Sequence, residues 1–312
     1  KGLFLQNVIA VIWDFDKTLT PSYMQRVIFD EYGIDEDAFW KEVRALPAYY
    51  ARGGIRVQED TCYLTHLLSY VHHGIMPDLS NARLRGLGAG IEFFPGLPHA
   101  FDELRAAVSE SKYAEAEIRV EHYVVSTGLY ALIEGSQIAD RLDGIWASVF
   151  IEDPAAPGTD LSGTPASKPI AQIAGFLDNT TKTRAIFEIN KGVNKLPNIK
   201  VNDQIDESKR RVPFANMIYV ADGPSDVPSF SVIRKHGGKT FAVYDEDSDA
   251  HMRQVNDLLK QGRVDMYGPA NYASNSPTYR WLKLTIRDIA DQILESRAET
   301  IRKAVKRGPT HL

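Results

Sequence analysis

Residues 8 to 13 read Val-Ile-Ala-Val-Ile-Trp, six apolar residues with no polar interruption. A strand with one wet face alternates apolar and polar residues. A run that does not alternate is covered on both faces, as strands are in the parallel sheets of α/β proteins. The run stops abruptly at Asp14, and Asp-Phe-Asp-Lys-Thr-Leu-Thr-Pro follows over 14–21. Two carboxylates one residue apart therefore stand where a buried strand opens into a loop.

The rest of the chain fits that class. From residue 22 to about 92, the stretches 23–32, 36–46 and 58–73 carry apolar residues at helical spacing. Gly53-Gly54 breaks this region and Phe94-Pro95-Gly96 closes it, which predicts a mostly helical insert. Beyond it the pattern alternates: a helix near 97–110, a strand at 122–128, a helix at 129–139 and a strand at 146–152. Segment 153–168, rich in Pro, Gly, Ala, Ser and Thr, reads as a loop. A helix at 181–191, a polar and mobile loop at 192–213, strands at 217–221 and 240–244, and a long amphipathic helix at 277–306 complete the chain. No internal repeat is present. Strands alternating with helices predict an α/β, doubly wound, Rossmann-like sheet, and such sheets bind ligands beyond the carboxyl ends of their strands.

Three polar clusters fall at those ends: 14–20, 126–128 and 222–226. Asp14 and Asp16 repel one another unless a divalent cation neutralises them or one holds a proton. Asp222 and Asp226, in Asp-Gly-Pro-Ser-Asp, add the oxygen ligands that a hard cation such as magnesium requires. Ser126-Thr127-Gly128 offers a hydroxyl and backbone N–H groups at a strand-to-helix turn, suited to a phosphate. A lysine is needed to offset the charge. Lys182, opening a predicted helix, is the leading candidate, with Lys168 and Lys191 as competitors. Phosphate-ester hydrolysis needs a nucleophile, an acid for the leaving oxygen and positive charge for the phosphoryl oxygens, and this set can meet all three needs.

In these motifs the chain resembles the haloacid dehalogenase (HAD) superfamily, closest in layout to its phosphoserine-phosphatase-like members. The first motif of that family stands as Asp14-Phe15-Asp16-Lys17-Thr18, and the second as Val124-Val125-Ser126-Thr127-Gly128. The third stands as Lys182-Thr183-Arg184 and the fourth as Ala221-Asp222-Gly223-Pro224-Ser225-Asp226, with Ala221 in place of the usual glycine. The resemblance implies a catalytic core at 1–21 and 93–312, with a helical cap inserted at 22–92. It implies Asp14 as nucleophile and metal ligand, and Asp16 as general acid/base with its carbonyl on the metal. Thr18, Ser126, Thr127, Gly128 and Lys182 would hold the phosphoryl group, and Asp222 and Asp226 would complete the Mg2+ shell. The implied activity is magnesium-dependent hydrolysis of a small-molecule phosphomonoester through an aspartyl-phosphate. A phosphotransferase or mutase using the same aspartate, or a phosphoacceptor or binding protein of this fold, is the alternative.

Within the insert, Tyr49-Tyr50-Ala51-Arg52-Gly53-Gly54-Ile55-Arg56 pairs aromatic faces with two guanidinium groups, a combination suited to an anionic or ring-bearing leaving group. A surface turn with solvated arginines is the other reading of Arg52 and Arg56. Phosphoserine-phosphatase-like members carry a glutamate shortly after the first motif. Pro21, Ser22, Tyr23 and Met24 follow Thr20 here, which argues against phosphoserine as the substrate.

Composition excludes several classes. A formal net charge of -5 gives no basic excess for nucleic acid. The single cysteine, Cys62, excludes an intrachain disulfide and a cysteine-based zinc cluster, and reads as a small buried apolar residue. No stretch is apolar for long enough to span a bilayer. The expectation is a soluble, cytoplasmic protein with a small phosphorylated metabolite as partner, no nucleic acid and no membrane.

Overall fold

The computed structural model describes residues 5–306. Strand β1 (Val8–Trp13) is followed by four helices, α1 (Arg26–Tyr32), α2 (Glu36–Ala51), α3 (Cys62–His72) and α4 (Asn81–Gly88). Helices α5 (His99–Ala106) and α6 (Ser111–Ala114) lead to β2 (Arg119–Leu129), α7 (Tyr130–Glu134), β3 (Gly144–Ile151) and β4 (Gln172–Gly175). Then come α8 (Lys182–Lys191), β5 (Met217–Ala221), α9 (Val227–Lys235), β6 (Lys239–Tyr244), α10 (Asp249–Lys260), β7 (Met266–Pro269) and α11 (Pro277–Lys306).

The strands form one sheet in the order β4-β3-β2-β1-β5-β6-β7, parallel except for the antiparallel β4 at one edge. All six residues of β1 are buried, as its uninterrupted apolar run requires. Its side chains alternate between two cores. Ile9, Val11 and Trp13 pack with Phe101 of α5 and Leu282, Ile286 and Ile289 of α11. Val8, Ala10 and Ile12 face the other way, among Ile186 of α8, Phe230 of α9 and Val255 of α10. Strand order reverses between β1 and β5, so the crevice between their carboxyl ends is the switch point where an α/β sheet takes its ligand.

The helices of 22–92 share the first of these cores. Phe29, Phe39, Leu64, Leu67 and Leu84 belong to the same apolar cluster as Trp13 and Val124. Asp35 caps α2 and Ser80 caps α4, each side chain accepting a backbone N–H. Two residues tie this segment across to the strand ends. The Tyr63 hydroxyl donates to the Thr127 carbonyl at 2.6 Å, and Gln58 Nε2 donates to Asp178 Oδ2 at 2.8 Å.

The sequence reading is corrected in four places. The helix expected over 129–139 is the short α7, followed by a 3-10 turn at 139–141. The helix expected near 97–110 covers His99–Ala106. Edge strands β4 and β7, four residues each, carry too short a pattern to have been singled out. The 192–213 loop is anchored at both ends. Lys191 Nζ donates to the carbonyls of Val201 at 2.5 Å and Asp203 at 2.6 Å, while Arg211 grips Glu121 on β2 with both terminal nitrogens.

Candidate active site

Asp14 is the first residue past β1, and its backbone N–H donates to the Val220 carbonyl on β5 at 2.9 Å. That bond fixes the loop against the neighbouring strand, so Asp14 and Asp222 leave adjacent strands side by side. Lys182 is the first residue of α8. Its side chain is 3% exposed, and Nζ lies 2.7 Å from Asp14 Oδ1 and 2.9 Å from Asp226 Oδ1. Carboxylate oxygens of Asp14, Asp222 and Asp226 all lie within 4.8 Å of one another. Lys168 instead pairs with Asp153 at the surface and Lys191 serves the loop, so among the three lysines only Lys182 reaches the carboxylates.

Asp226 closes a 3-10 turn at the start of α9, yet its side chain does not cap that helix. Oδ1 accepts the Lys182 ammonium and the Tyr219 hydroxyl, the latter at 2.7 Å, and Oδ2 accepts from Ser225 at 3.1 Å. Tyr219 escaped the sequence reading. A tyrosine inside a fully buried central strand needs a partner for its hydroxyl, and that signal could have found it.

Asp16 Oδ1 accepts the Met24 N–H at 2.7 Å. Thr18 is fully buried; its hydroxyl lies 3.5 Å from Asp14 Oδ2 and its carbonyl accepts from Tyr272, 254 residues away, at 2.6 Å. Nothing in the sequence connects those two positions. Ser126 lies on β2, two residues beyond the Trp13–Val124 pairing and so beside the start of the Asp14 loop. Its hydroxyl accepts the Gly128 N–H at 2.9 Å, and the Leu129 N–H meets Met24 Sδ at 3.1 Å. Of the backbone donors expected to cradle a phosphate, the Gly128 N–H is turned onto the Ser126 hydroxyl. A Cβ on Gly128 would lie 2.1 Å from the Met24 methyl group, which would have to move aside.

Arg52 and Arg56 are exposed. Arg52 lies over the Tyr49 ring at 5.5 Å, and no contact joins either arginine to the carboxylates among the described residues. His66 pairs with Glu42 between α2 and α3, and Cys62 is buried, both in keeping with packing roles.

Electrostatics follow from burying four carboxylates with one ammonium. Burial raises Asp14 to about 6, Lys182 opposes the rise and Asp226 adds to it. Burial, then the Asp14 charge, raises Asp16 to about 7. Asp222 is held well above the usual carboxylate range by burial and then by Asp14 and Asp226. Burial works against the charge on Lys182, but Asp14 and Asp226 outweigh it and the ammonium is held firmly protonated. The negative excess and the all-oxygen donor set fit a hard divalent cation, with Asp14, Asp222 and Asp226 as the side chains that would hold it. No helix among the described residues is long and apolar enough to cross a membrane.

A protein of Borreliella burgdorferi (strain B31), itself named only as uncharacterized, is 37% identical over 283 residues, covering 89% of this chain and 96% of its own. No family model matches. Among solved structures, a HAD family hydrolase of Salmonella enterica serovar Typhi is 13% identical at a TM-score of 0.48, covering 84% of this chain and 66% of that one. A phosphoserine phosphatase, solved as an analogue of its phospho-aspartyl intermediate, is 18% identical at a TM-score of 0.45, covering 84% and 93%. A probable phosphoserine phosphatase of Vibrio cholerae is 13% identical at 0.48, covering 93% and 68%. The four motifs read in the sequence stand at strand ends and helix starts of one mostly parallel sheet, as that reading expected.

Proposed function

This chain belongs to one family with the Borreliella burgdorferi protein, and we propose that it is a magnesium-dependent phosphatase acting on a small phosphomonoester through an aspartyl-phosphate. One observation carries the reading: buried Lys182 bridges Asp14 and Asp226, with Asp222 beside them, at the switch point of the sheet.

The roles follow from position. An Asp14 carboxylate oxygen attacks phosphorus, and the bond from phosphorus to the leaving oxygen breaks. Asp16, raised to about 7, is protonated in a useful fraction near neutrality and gives its proton to that oxygen. The leaving alcohol departs, and Asp16, now a carboxylate, takes a proton from an incoming water. That water's oxygen attacks the phosphorus of the aspartyl-phosphate, releasing phosphate and restoring Asp14. Lys182 holds Asp14 in place and offsets charge that gathers on the phosphoryl oxygens. A bound magnesium ion would act as a Lewis acid, neutralising phosphoryl charge and orienting the ester. In this reading the helices of 22–92 act as a cap over a core formed by 1–21 and 93–312, excluding water from the first step.

The test uses the full-length protein with magnesium and p-nitrophenyl phosphate. Asp14→Asn should abolish turnover while leaving the circular dichroism spectrum unchanged, because an amide cannot form the acyl-phosphate. A variant that keeps a tenth of the wild-type rate overturns the assignment. Adding an alcohol and finding it phosphorylated in preference to water would identify a phosphotransferase.

A further inference from the structure

The insert carries a row of aromatic rings that begins just past the first motif. Tyr23, just past the first motif, keeps 46% of its surface exposed, and its ring centroid lies 5.3 Å from that of Trp40 on α2. Trp40 in turn lies 5.8 Å from Tyr63, whose hydroxyl bonds the Thr127 carbonyl beside Ser126. The first ring of the row stands beside the site, since Tyr23 precedes Met24, whose N–H bonds Asp16 Oδ1 at 2.7 Å. Burial, then the charges of Asp16, Asp222, Asp14 and Glu36, hold the Tyr23 phenol above its ordinary range.

Lys17 completes it. Its φ of 61° lies in the left-handed region, where glycine is at ease and a lysine is not. A lysine kept at such a position beside a reacting group suggests that its side chain is used. Nζ donates to the Pro21 carbonyl at 2.7 Å and lies 5.2 Å from the Tyr23 ring centre. Among the described residues it forms no ion pair, although its charge is felt at Asp16. Lys182 is already committed to two carboxylates, whereas Lys17, beside the Tyr23 ring, has charge to offer a ligand.

We propose that Tyr23, Trp40 and Lys17 form the leaving-group subsite, and that it selects phosphomonoesters whose leaving group is a ring bearing a second negative charge. An aliphatic alcohol would leave the exposed ring face unmatched, and an uncharged ring would leave Lys17 unmatched. The inference rests on the phosphatase reading above.

The experiment compares phenyl phosphate, 4-carboxyphenyl phosphate and glycerol 2-phosphate with wild type and with Tyr23→Ala, Tyr23→Phe and Lys17→Gly. Glycine suits the backbone at 17, so that variant should fold, and unfolding midpoints check all three. For wild type, kcat/KM for the carboxylated ester should exceed that for phenyl phosphate by about tenfold, the size of one charge-assisted contact. Lys17→Gly should erase this ratio whatever it does to the absolute rates. Tyr23→Ala should lower both aryl esters relative to glycerol 2-phosphate by about fivefold, mainly through KM, and Tyr23→Phe should restore them, because stacking needs the ring and not the hydroxyl. Asp14-dependent hydrolysis with no aryl or carboxylate preference, or equal losses on all three esters in Tyr23→Ala, overturns the subsite and leaves the phosphatase reading standing. Absence of hydrolysis of every ester, or hydrolysis that survives Asp14→Asn, overturns both.

Discussion

Asp14 and Asp16 sit two residues apart, and in the proposed mechanism they do different work because their surroundings differ. Asp14 is locked to Lys182, whereas the Asp16 side chain accepts the Met24 backbone N–H. Replacing Asp16 by Asn should slow turnover by about 10²–10⁴, the usual worth of a positioned proton donor. The loss should be smallest for p-nitrophenyl phosphate, whose leaving group needs little protonation; equal losses on good and poor leaving groups would exclude an acid role. The raised values also bear on stability. A carboxyl whose folded pKa lies above its unfolded value, about 3.9, binds protons on folding. Its stabilising effect is therefore complete below about 4 and is lost as pH rises through about 6 for Asp14 and about 7 for Asp16. A cation held by Asp14, Asp222 and Asp226 needs the deprotonated forms and offsets that loss. Millimolar magnesium should raise the thermal midpoint more at pH 8 than at pH 5, and equal shifts at the two pH values would show that these carboxylates are not its seat.

At the scale of elements, the insert is docked where two backbones nearly touch. Gly88 at the end of α4 and Gly135 just after α7 have no room for a side chain: a Cβ on Gly135 would stand 1.8 Å from the Arg85 carbonyl oxygen, and one on Gly88 would stand 2.2 Å from that of Leu132. Both obstacles are backbone, which cannot swing aside. Gly135→Ala should therefore destabilise by about 2–3 kcal/mol, the upper part of the range for overpacking, read from the urea midpoint. A variant as stable as wild type would mean that α4 and α7 are free to separate. The stretch between α2 and α3 behaves differently. Arg52 and Arg56 follow α2 in open solvent, so Arg52→Ala and Arg56→Ala should leave KM within about twofold, as solvated surface changes do. A selective rise in KM for one phosphate ester would restore this stretch as a selector.

Across the whole molecule, one sheet separates two apolar cores, and a buried ion pair holds the 192–213 loop to its back. Arg211 and Glu121 are 4% and 7% exposed, with Arg211 Nη1 also bonded to the Tyr123 hydroxyl at 3.0 Å. Arg211→Ala strands a buried carboxylate and should cost about 3 kcal/mol, less if Arg119, also on Glu121, can compensate. Hydrogen exchange over 200–213 should rise in that variant while kcat holds, because the pair lies away from the carboxylate crevice; unchanged protection would show that the loop is held by other contacts. The sequence by itself determined the fold class, the central strands and the identity of Asp14, Asp16, Asp222 and Asp226. Those signals are local: an unbroken apolar run is buried wherever it lies, and the carboxylates follow directly from the strands that carry them. Only the tertiary structure decided that Lys182, and not Lys168 or Lys191, meets Asp14, because 168 residues separate the partners and only the winding of the sheet brings them to 2.7 Å. It also decided that Asp226 faces that ammonium instead of capping α9, that Tyr219 and Tyr272 support the site, and that β4 and β7 are strands at all. Each of these depends on a neighbour supplied by a distant part of the chain, and no local pattern encodes a distant neighbour.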